Sequence, residues 1–498
     1  MRWQRVVLVL AACALCASCT SASADRSGGS GPPTVLVLAN NDESLDGAPA
    51  VTRFVERVRE LSDGRVRVDV QSSWGGGYDE VGVVRAVGAG QADLGWAGTR
   101  VMDQVGVDAF RPLHAPFLVG SYAAQSAVVG DPLAGELLAE LAPLGVTGLA
   151  LAADQLRMPA AAARPLLTPA DFAGLVFRTA ASGAQESGLR ALGAVPKAGR
   201  GSPGRLDGVD AVETMWWTYA INGQYGPMPY VTSNAALWPR SLAIFANTER
   251  LGGLTEQQRG WLVQAGQDAS SWSTAHAQDR DAEQVKRVCR FGARVATATP
   301  DQLAALRSAA QPVYAALRAD ARTAAVLRRV EGLVAGAVPG PPVSLPAGCA
   351  YRPGEEQNRT PDLPALAGPG DPGTLPQGVY RLTLTRQHLL DQGVSEPEAD
   401  LNAGVFTYTL RAGTWQYRQQ PAVPGRATST TTTCEGWYAV GDNTASFTTT
   451  TTYDNGTCAP LTWSARWTAN GSMLTWDEVS VPDFGPIWSA GPWQRIDA

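Results

Sequence analysis

From Thr34 onward, apolar positions recur in two alternating rhythms. Thr34 to Ala39 (TVLVLA) is an unbroken apolar run of strand length. Val51, Phe54, Val55, Val58 and Leu61 then recur at helical spacing, and Ser62-Asp63-Gly64 closes that helix. Val66, Val68 and Val70 alternate with Arg65, Arg67 and Asp69, the pattern of a half-buried strand. A further helix precedes a strand at Ala92 to Trp96. This βαβ rhythm predicts an α/β sheet with helices on its faces. It continues through a helix at Leu133 to Leu141 and a strand at Gly145 to Ala152. Thr168 is read as an N-cap with Pro169 at the first helical position; the strand Leu175 to Thr179 and the helix Gln185 to Leu192 follow. Thr255 and Gln258 have capping-box spacing and open a helical stretch expected to reach about Arg290. Such a helix, roughly 54 Å long at 1.5 Å per residue, is long enough to serve as a spine for more than one lobe. Thr299-Pro300-Asp301 starts the last helix of the region.

The pattern then changes twice. Pro339 to Pro376 holds ten prolines, the composition of a semi-rigid linker. Beyond it, Gly378 to Ala498 has one helical stretch, Thr385 to Gln392, but seven of the fifteen tryptophans. Short β-prone segments (Val405 to Leu410, Thr414 to Arg418, Ala427 to Cys434, Ala445 to Tyr453, Leu461 to Thr468, Met473 to Val479) alternate with turn signals, Asp454-Asn455-Gly456 among them. An antiparallel sandwich or barrel is expected there.

A length of 498 residues requires more than one core. The formal charge of -6 gives no basic excess for nucleic acid. Three histidines (His114, His276, His388) and no Cys/His cluster argue against a metal site or a histidine-based triad, and no cofactor is expected. Asp79-Glu80, adjacent rather than opposed, reads as a solvated helix start. At the N-terminus, Arg2 and Arg5 precede an apolar run opening at Val6 to Ala12, too short to span a membrane and suited to a signal peptide. Leu10-Ala11-Ala12-Cys13 resembles a bacterial lipobox. Cys19, after Ala17-Ser18, gives a more ordinary signal length and is the preferred lipid-bearing cysteine, with Cys13 the alternative. Four cysteines remain in the mature chain, and an even number in an exported protein suggests disulfides. Of three pairings, position favours Cys289 with Cys349 and Cys434 with Cys458.

Ordered motifs along the first region resemble the substrate-binding proteins of tripartite ATP-independent periplasmic (TRAP) transporters. Phe54 to Val66 (FVERVRELSDGRV) resembles that family's first helix and second strand. Gly90-Gln91-Ala92-Asp93 is similar to its "G-x-x-D" segment, and Leu113 to Leu118 (LHAPFL) to its "P-F-L" element. Thr168 to Arg178 (TPADFAGLVFR) ends in the family's arginine. The resemblance implies a two-lobed, periplasmic-binding-protein type II-like α/β domain with a long spine helix. It also implies that Arg178 holds a ligand carboxylate, as a planar guanidinium fork is suited to do, and that Arg157 is a second such arginine. Leu206 to Thr214 (LDGVDAVET) resembles a further family stretch, with Ala211 in place of glycine and Thr214 in place of a ligand-contacting asparagine, next to Glu213. Trp216 and Trp217 wall a pocket or pack the hinge. Trp96, at a strand's C-terminal end, lies where open α/β sheets place ligands. Asn40 donates amide hydrogen bonds or makes a turn.

Gly378-Val379-Tyr380, Cys434 to Tyr438 and Pro492 to Ile496 resemble lipocalin-type β-barrels, whose interior either takes an apolar ligand or is filled by side chains. The expected division is a signal peptide (1–19), tether (20–33), solute-binding domain (34–337), linker (338–376) and β-barrel (377–498). The function implied is capture of a small organic acid by a lipid-anchored, extracytoplasmic receptor that is not an enzyme. It would deliver the acid to integral membrane transporter subunits. A sensory or scavenging receptor whose β domain contacts another protein is the alternative, and an extracytoplasmic enzyme a third.

Overall fold

The computed structural model describes residues 32–42, 44–199, 206, 208–290, 293–346, 348–354, 368–392, 394, 399–400, 402–421, 432–450, 462–480 and 485–497. The expected signal peptide with Cys13 and Cys19, the Asp454-Asn455-Gly456 turn and Cys458 lie outside them. Among the described residues no helix is long and apolar enough to cross a membrane.

The α/β region is built on ten strands in two joined halves. The first half runs, in spatial order, Val66–Gln71, Thr34–Ala39, Leu94–Gly98, Trp238–Asn247 and Val146–Ala161; the second continues through Ala211–Thr214, Val176–Thr179 and Val195–Ala198. Leu38, Phe54, Val58, Leu94 and Ile244 pack one face of the first half, and Val83, Phe110, Val128 and Phe245 the other. Phe172, Phe177, Leu189 and Trp238 form a separate core in the second half. Burial on both faces accounts for the unbroken run of the central strand Leu94–Gly98, while the edge strand Val66–Gln71 keeps the alternation of a half-buried one.

Val146–Ala161 belongs to both halves. Its first part pairs antiparallel with Trp238–Asn247, and Met158 to Ala161 pair with Ala211–Thr214. This crossing strand is twice as long as its apolar run predicts, because Asp154, Gln155 and Arg157 interrupt the run without ending the strand. The spine helix is corrected as well. It runs only Glu256–His276, the chain turns through 277–280, and a second helix spans Asp281–Arg290. No Gly or Pro marks the break. Asp281 is buried there, where Tyr122 and Gln155 donate to its carboxylate, and that pull redirects the chain. The Glu256–His276 helix presses small residues onto the crossing strand: a Cβ on Gly266 would lie 2.4 Å from the Leu149 carbonyl. The helix expected to be last proves to be three, Pro300–Ala309, Gln311–Ala319 and Ala321–Ala335.

The C-terminal strands join none of these. Gly378–Leu384, Gly404–Arg411, Thr414–Pro421, Thr432–Gly441, Thr444–Thr449, Thr462–Asn470, Met473–Asp477 and Trp493–Arg495 follow one another as an antiparallel meander. The first pairs with the last and closes a barrel. Rings fill its interior. Tyr408, Phe447, Trp463, Trp476 and Trp493 surround Trp488, which the short helix Gly485–Trp488 inserts with ring centroids 4.4 Å from Tyr408 and 4.7 Å from Trp463. Cys289 and Cys349 form the expected disulfide, and Ala350 bridges Val295, so the linker's first stretch is fastened to the second half. Cys434 is disulfide-bonded; its expected partner, Cys458, is outside the described residues.

Candidate functional site

The two halves meet along strand ends rich in charge. Arg157 lies on the crossing strand, Glu213 and Thr214 on Ala211–Thr214, and Arg178 on Val176–Thr179, three neighbouring strands. Pro159 is in register with Glu213 and Arg178 with Val212, which brings Arg157, Glu213 and Arg178 into one neighbourhood. Arg157 and Glu213, 8% and 3% exposed, pair with Nη1 2.7 Å from Oε2. Arg178 is half-buried, and its guanidinium lies against Gly199, where a Cβ would come within 2.7 Å of Nε. Burial lowers the proton affinity of Arg178, Glu213 opposes that, and Arg157 and Arg100 add to it. The half-buried Arg178 guanidinium thus lies in the field of two further arginines, Arg157 and Arg100, and of Glu213.

The remaining expected residues are placed differently from one another. Trp96 is fully buried; its Nε1 donates to Asn40 Oδ1 at 3.1 Å. The Asn40 amide donates to the Asp42 carbonyl and to Ser72 Oγ, so its hydrogen bonds stay within the chain. Thr214 is buried and donates to Gln224 Oε1 at 2.5 Å. Trp216 packs edge-on against Tyr219 in the core of the second half. Trp217 borders a cavity of about 260 Å³ and carries Arg280 over its ring at 4.5 Å.

Sequence reading missed several charged groups beside these. Glu80, read as solvated, is buried: its Oε2 meets Arg100 Nη2 at 2.5 Å and its Oε1 accepts from the Gly98 amide at 2.8 Å. Only its neighbour Asp79 behaves as a helix start, capping Gly82 N. Arg100 follows the strand Leu94–Gly98 by two residues, and that position at a strand's C-terminal end was the available signal. Asp154 pairs with Arg240, which reaches the Gly47 carbonyl at 2.6 Å and lies 5.6 Å from the Trp96 ring. Burial pushes Asp42 up to about 6 against the pull of Arg240. His114 falls to about 3, first through burial and then through Arg100 and Arg157, so it is a neutral imidazole bonded to Thr99. Among the described residues, Nε of Arg100, Nε of Arg157, Nδ1 of His114 and Nδ2 of Asn41 are buried without a hydrogen-bond partner. Buried polar atoms of this kind are costly unless they find a hydrogen-bond partner.

A family model described as "Bacterial extracellular solute-binding protein, family 7" matches residues 39–320. No curated protein matches the chain. Among solved structures, a TRAP periplasmic solute-binding protein of Ralstonia eutropha H16 with bound (S)-2-acetolactate is similar at 21% identity and a TM-score of 0.55, over 60% of this chain and 98% of that one. A sugar-acid-binding protein of Advenella mimigardefordensis in complex with galactonate is similar at 19% identity and 0.56, over 61% and 99%. A Shewanella oneidensis TRAP protein with bound succinate follows at 17% and 0.54, over 61% and 98%. These likenesses establish the two-lobed fold, and the family model spans more than half of the sequence. The chain belongs to the family 7 extracellular solute-binding proteins of TRAP transporters and carries a β-barrel at its C-terminal end.

Proposed function

We propose that the protein captures a small organic acid between its two halves, with the carboxylate on Arg178 and with Arg157, braced by Glu213, beside it, and hands the acid to TRAP-type membrane subunits. The observation that carries this reading is the gathering of Arg178, Arg157 and Arg100 at one junction, where the buried Nε atoms of Arg100 and Arg157 have no hydrogen-bond partner among the described residues. Acetolactate, galactonate and succinate, bound by similar proteins, define the compounds to try first. In this reading Trp217 contributes the apolar wall, while Trp96, Asn40, Thr214 and Trp216 shape the site from behind. A lipid at Cys19, or at Cys13, would hold the receptor at the outer surface of the membrane. The barrel interior is packed with rings, which favours a module that contacts another surface over a container for an apolar ligand.

A thermal-shift screen of the mature protein against these acids and their uncharged amides tests the proposal. Ligand at 100 times its dissociation constant adds about 2.7 kcal/mol to stability. The acids are expected to raise the melting temperature and the amides to leave it unchanged. A set of neutral compounds that stabilises equally well would remove the carboxylate from the account.

A further inference from the structure

The crossing strand is irregular where it leaves the first half: its register on Trp238–Asn247 shifts between Ala153 and Leu156. Two polar residues fill the irregularity. Asp154 turns to Arg240, while Gln155 faces the helix break. Gln155 Nε2 donates to Asp281 Oδ1, and Gln155 Oε1 accepts from the Trp217 amide at 3.0 Å. The hydroxyl of Tyr122 donates to Asp281 Oδ2 at 2.7 Å. One carboxylate therefore ties together three parts. Tyr122 opens a helix, Tyr122–Gly130, that packs in the first half; Gln155 is on the crossing strand; Trp216–Ile221 and Asp281–Arg290 are helices that pack against each other in the second half. The 260 Å³ cavity lies against this junction, bounded in part by Gln155, Trp217, Ser273, His276 and Arg280. A close-packed junction would resist rearrangement, whereas a few hydrogen bonds beside a void can open without displacing a core.

We propose that Asp281 is a pH-sensitive latch that positions the second half of the receptor against the first. In its effect on ligand capture the latch rests on the reading of the cleft given above; in itself it does not. No cation neutralises the carboxylate among the described residues that act on it. Tyr122 and Asp154 are the titratable groups facing it from neighbouring elements, and Asp154 is already answered by Arg240. Arg280, adjacent in the chain, turns to the Trp217 ring and donates to the Asp46 carbonyl, and His276 stacks on Trp272. Burial accordingly pushes Asp281 up to about 7 from its ordinary 3.8, against the two hydrogen bonds it accepts. The latched form holds the proton more tightly than an opened form in which the carboxyl meets water. The latch is therefore strongest at acid pH, weakens as pH rises from about 4 to about 7, and is constant above that. The protonated acid keeps both contacts, because Oδ1 still accepts from Gln155 and Oδ2 shares a proton with Tyr122.

Hydrogen–deuterium exchange of the ligand-free mature protein reads the latch directly at the Trp217 amide, which Gln155 protects. After correction for the intrinsic exchange rate, protection at Trp217 is expected to fall roughly ten- to hundredfold between pH 5 and pH 8 in the wild type. In Asp281→Asn the pH dependence should vanish, and in Tyr122→Phe protection should drop across the range. The Tyr438 amide in the barrel, bonded to the Gly413 carbonyl at 2.7 Å, is the internal control and should not change. Wild-type protection at Trp217 that is independent of pH, or an Asp281→Asn variant with the wild-type slope, would overturn the proposal. Because no ligand enters the measurement, its failure and that of the carboxylate reading are separate outcomes.

Discussion

The α/β region and the barrel treat their interiors in opposite ways. The α/β region buries Arg157, Arg240, Glu80, Glu213, Asp154 and Asp281 and keeps a cavity beside its helix break. The barrel's described interior is a continuous contact of aromatic rings, with Phe447 and Trp463 centroids 4.2 Å apart and Trp488 at the centre. Buried charge and empty space both cost stability. Retaining them suits the anion capture and rearrangement proposed above, whereas the close ring packing of the barrel suits a rigid module. The lipocalin resemblance was read from short motifs that left open whether side chains fill the interior or a ligand does, because such motifs carry no information about how rings pack in the middle.

Substitutions can sharpen or break this contrast. Trp488→Ala empties the barrel's centre and is expected to cost about 3–5 kcal/mol. In calorimetry only the barrel's unfolding transition should move; a matching shift of the α/β transition would show that the two regions share a core. Arg157→Ala strands Glu213 as a buried charge, and losing one partner of such a pair costs about 3–5 kcal/mol. Denaturant unfolding should find this loss in the α/β transition alone, and a cost near zero would mean that water reaches Glu213. The smallest effect is expected from Tyr408→Phe. The Tyr408 hydroxyl is buried without a hydrogen-bond partner among the described residues, so its removal should change barrel stability by less than about 1 kcal/mol, in the stabilising direction. A clear loss would reveal a hydrogen bond, and with it a polar spot inside the barrel.

Local chemistry made much of the fold legible. The capping box read at Thr255 is formed, and the helix starts read at Thr168 and Thr299 prove to carry capping boxes as well. Most β-prone segments of the C-terminal region coincide with strands, but Thr432–Gly441 lies largely beyond the expected Ala427 to Cys434, Gly378–Leu384 and Trp493–Arg495 were not expected as strands, and the pattern did not decide between sandwich and closed barrel. Arg178 was singled out only through its motif, since an arginine at a strand end is otherwise read as a surface residue, and its proposed role rests on that motif and its neighbours. The pairs Glu80–Arg100 and Asp154–Arg240 were not legible. Asp154 and Arg240 lie on different strands, 86 positions apart, and only the antiparallel pairing of those strands makes them neighbours. The helix break was hidden for the same reason: it depends on Tyr122, 159 positions from Asp281, and on no residue that breaks helices locally.

The central claim, that Arg178 holds a ligand carboxylate between the halves, is tested most directly by titration calorimetry. The mature protein, Arg178→Ala and Arg178→Lys are titrated with the acid selected by the thermal screen. Loss of the guanidinium leaves a desolvated carboxylate without its partner, so Arg178→Ala should lose about 3–5 kcal/mol of binding, roughly two to four decades in affinity. Arg178→Lys should recover only part of that, because an ammonium keeps the charge without the planar fork. Equal affinities in all three proteins, with both variants folded as judged by circular dichroism, would contradict the account.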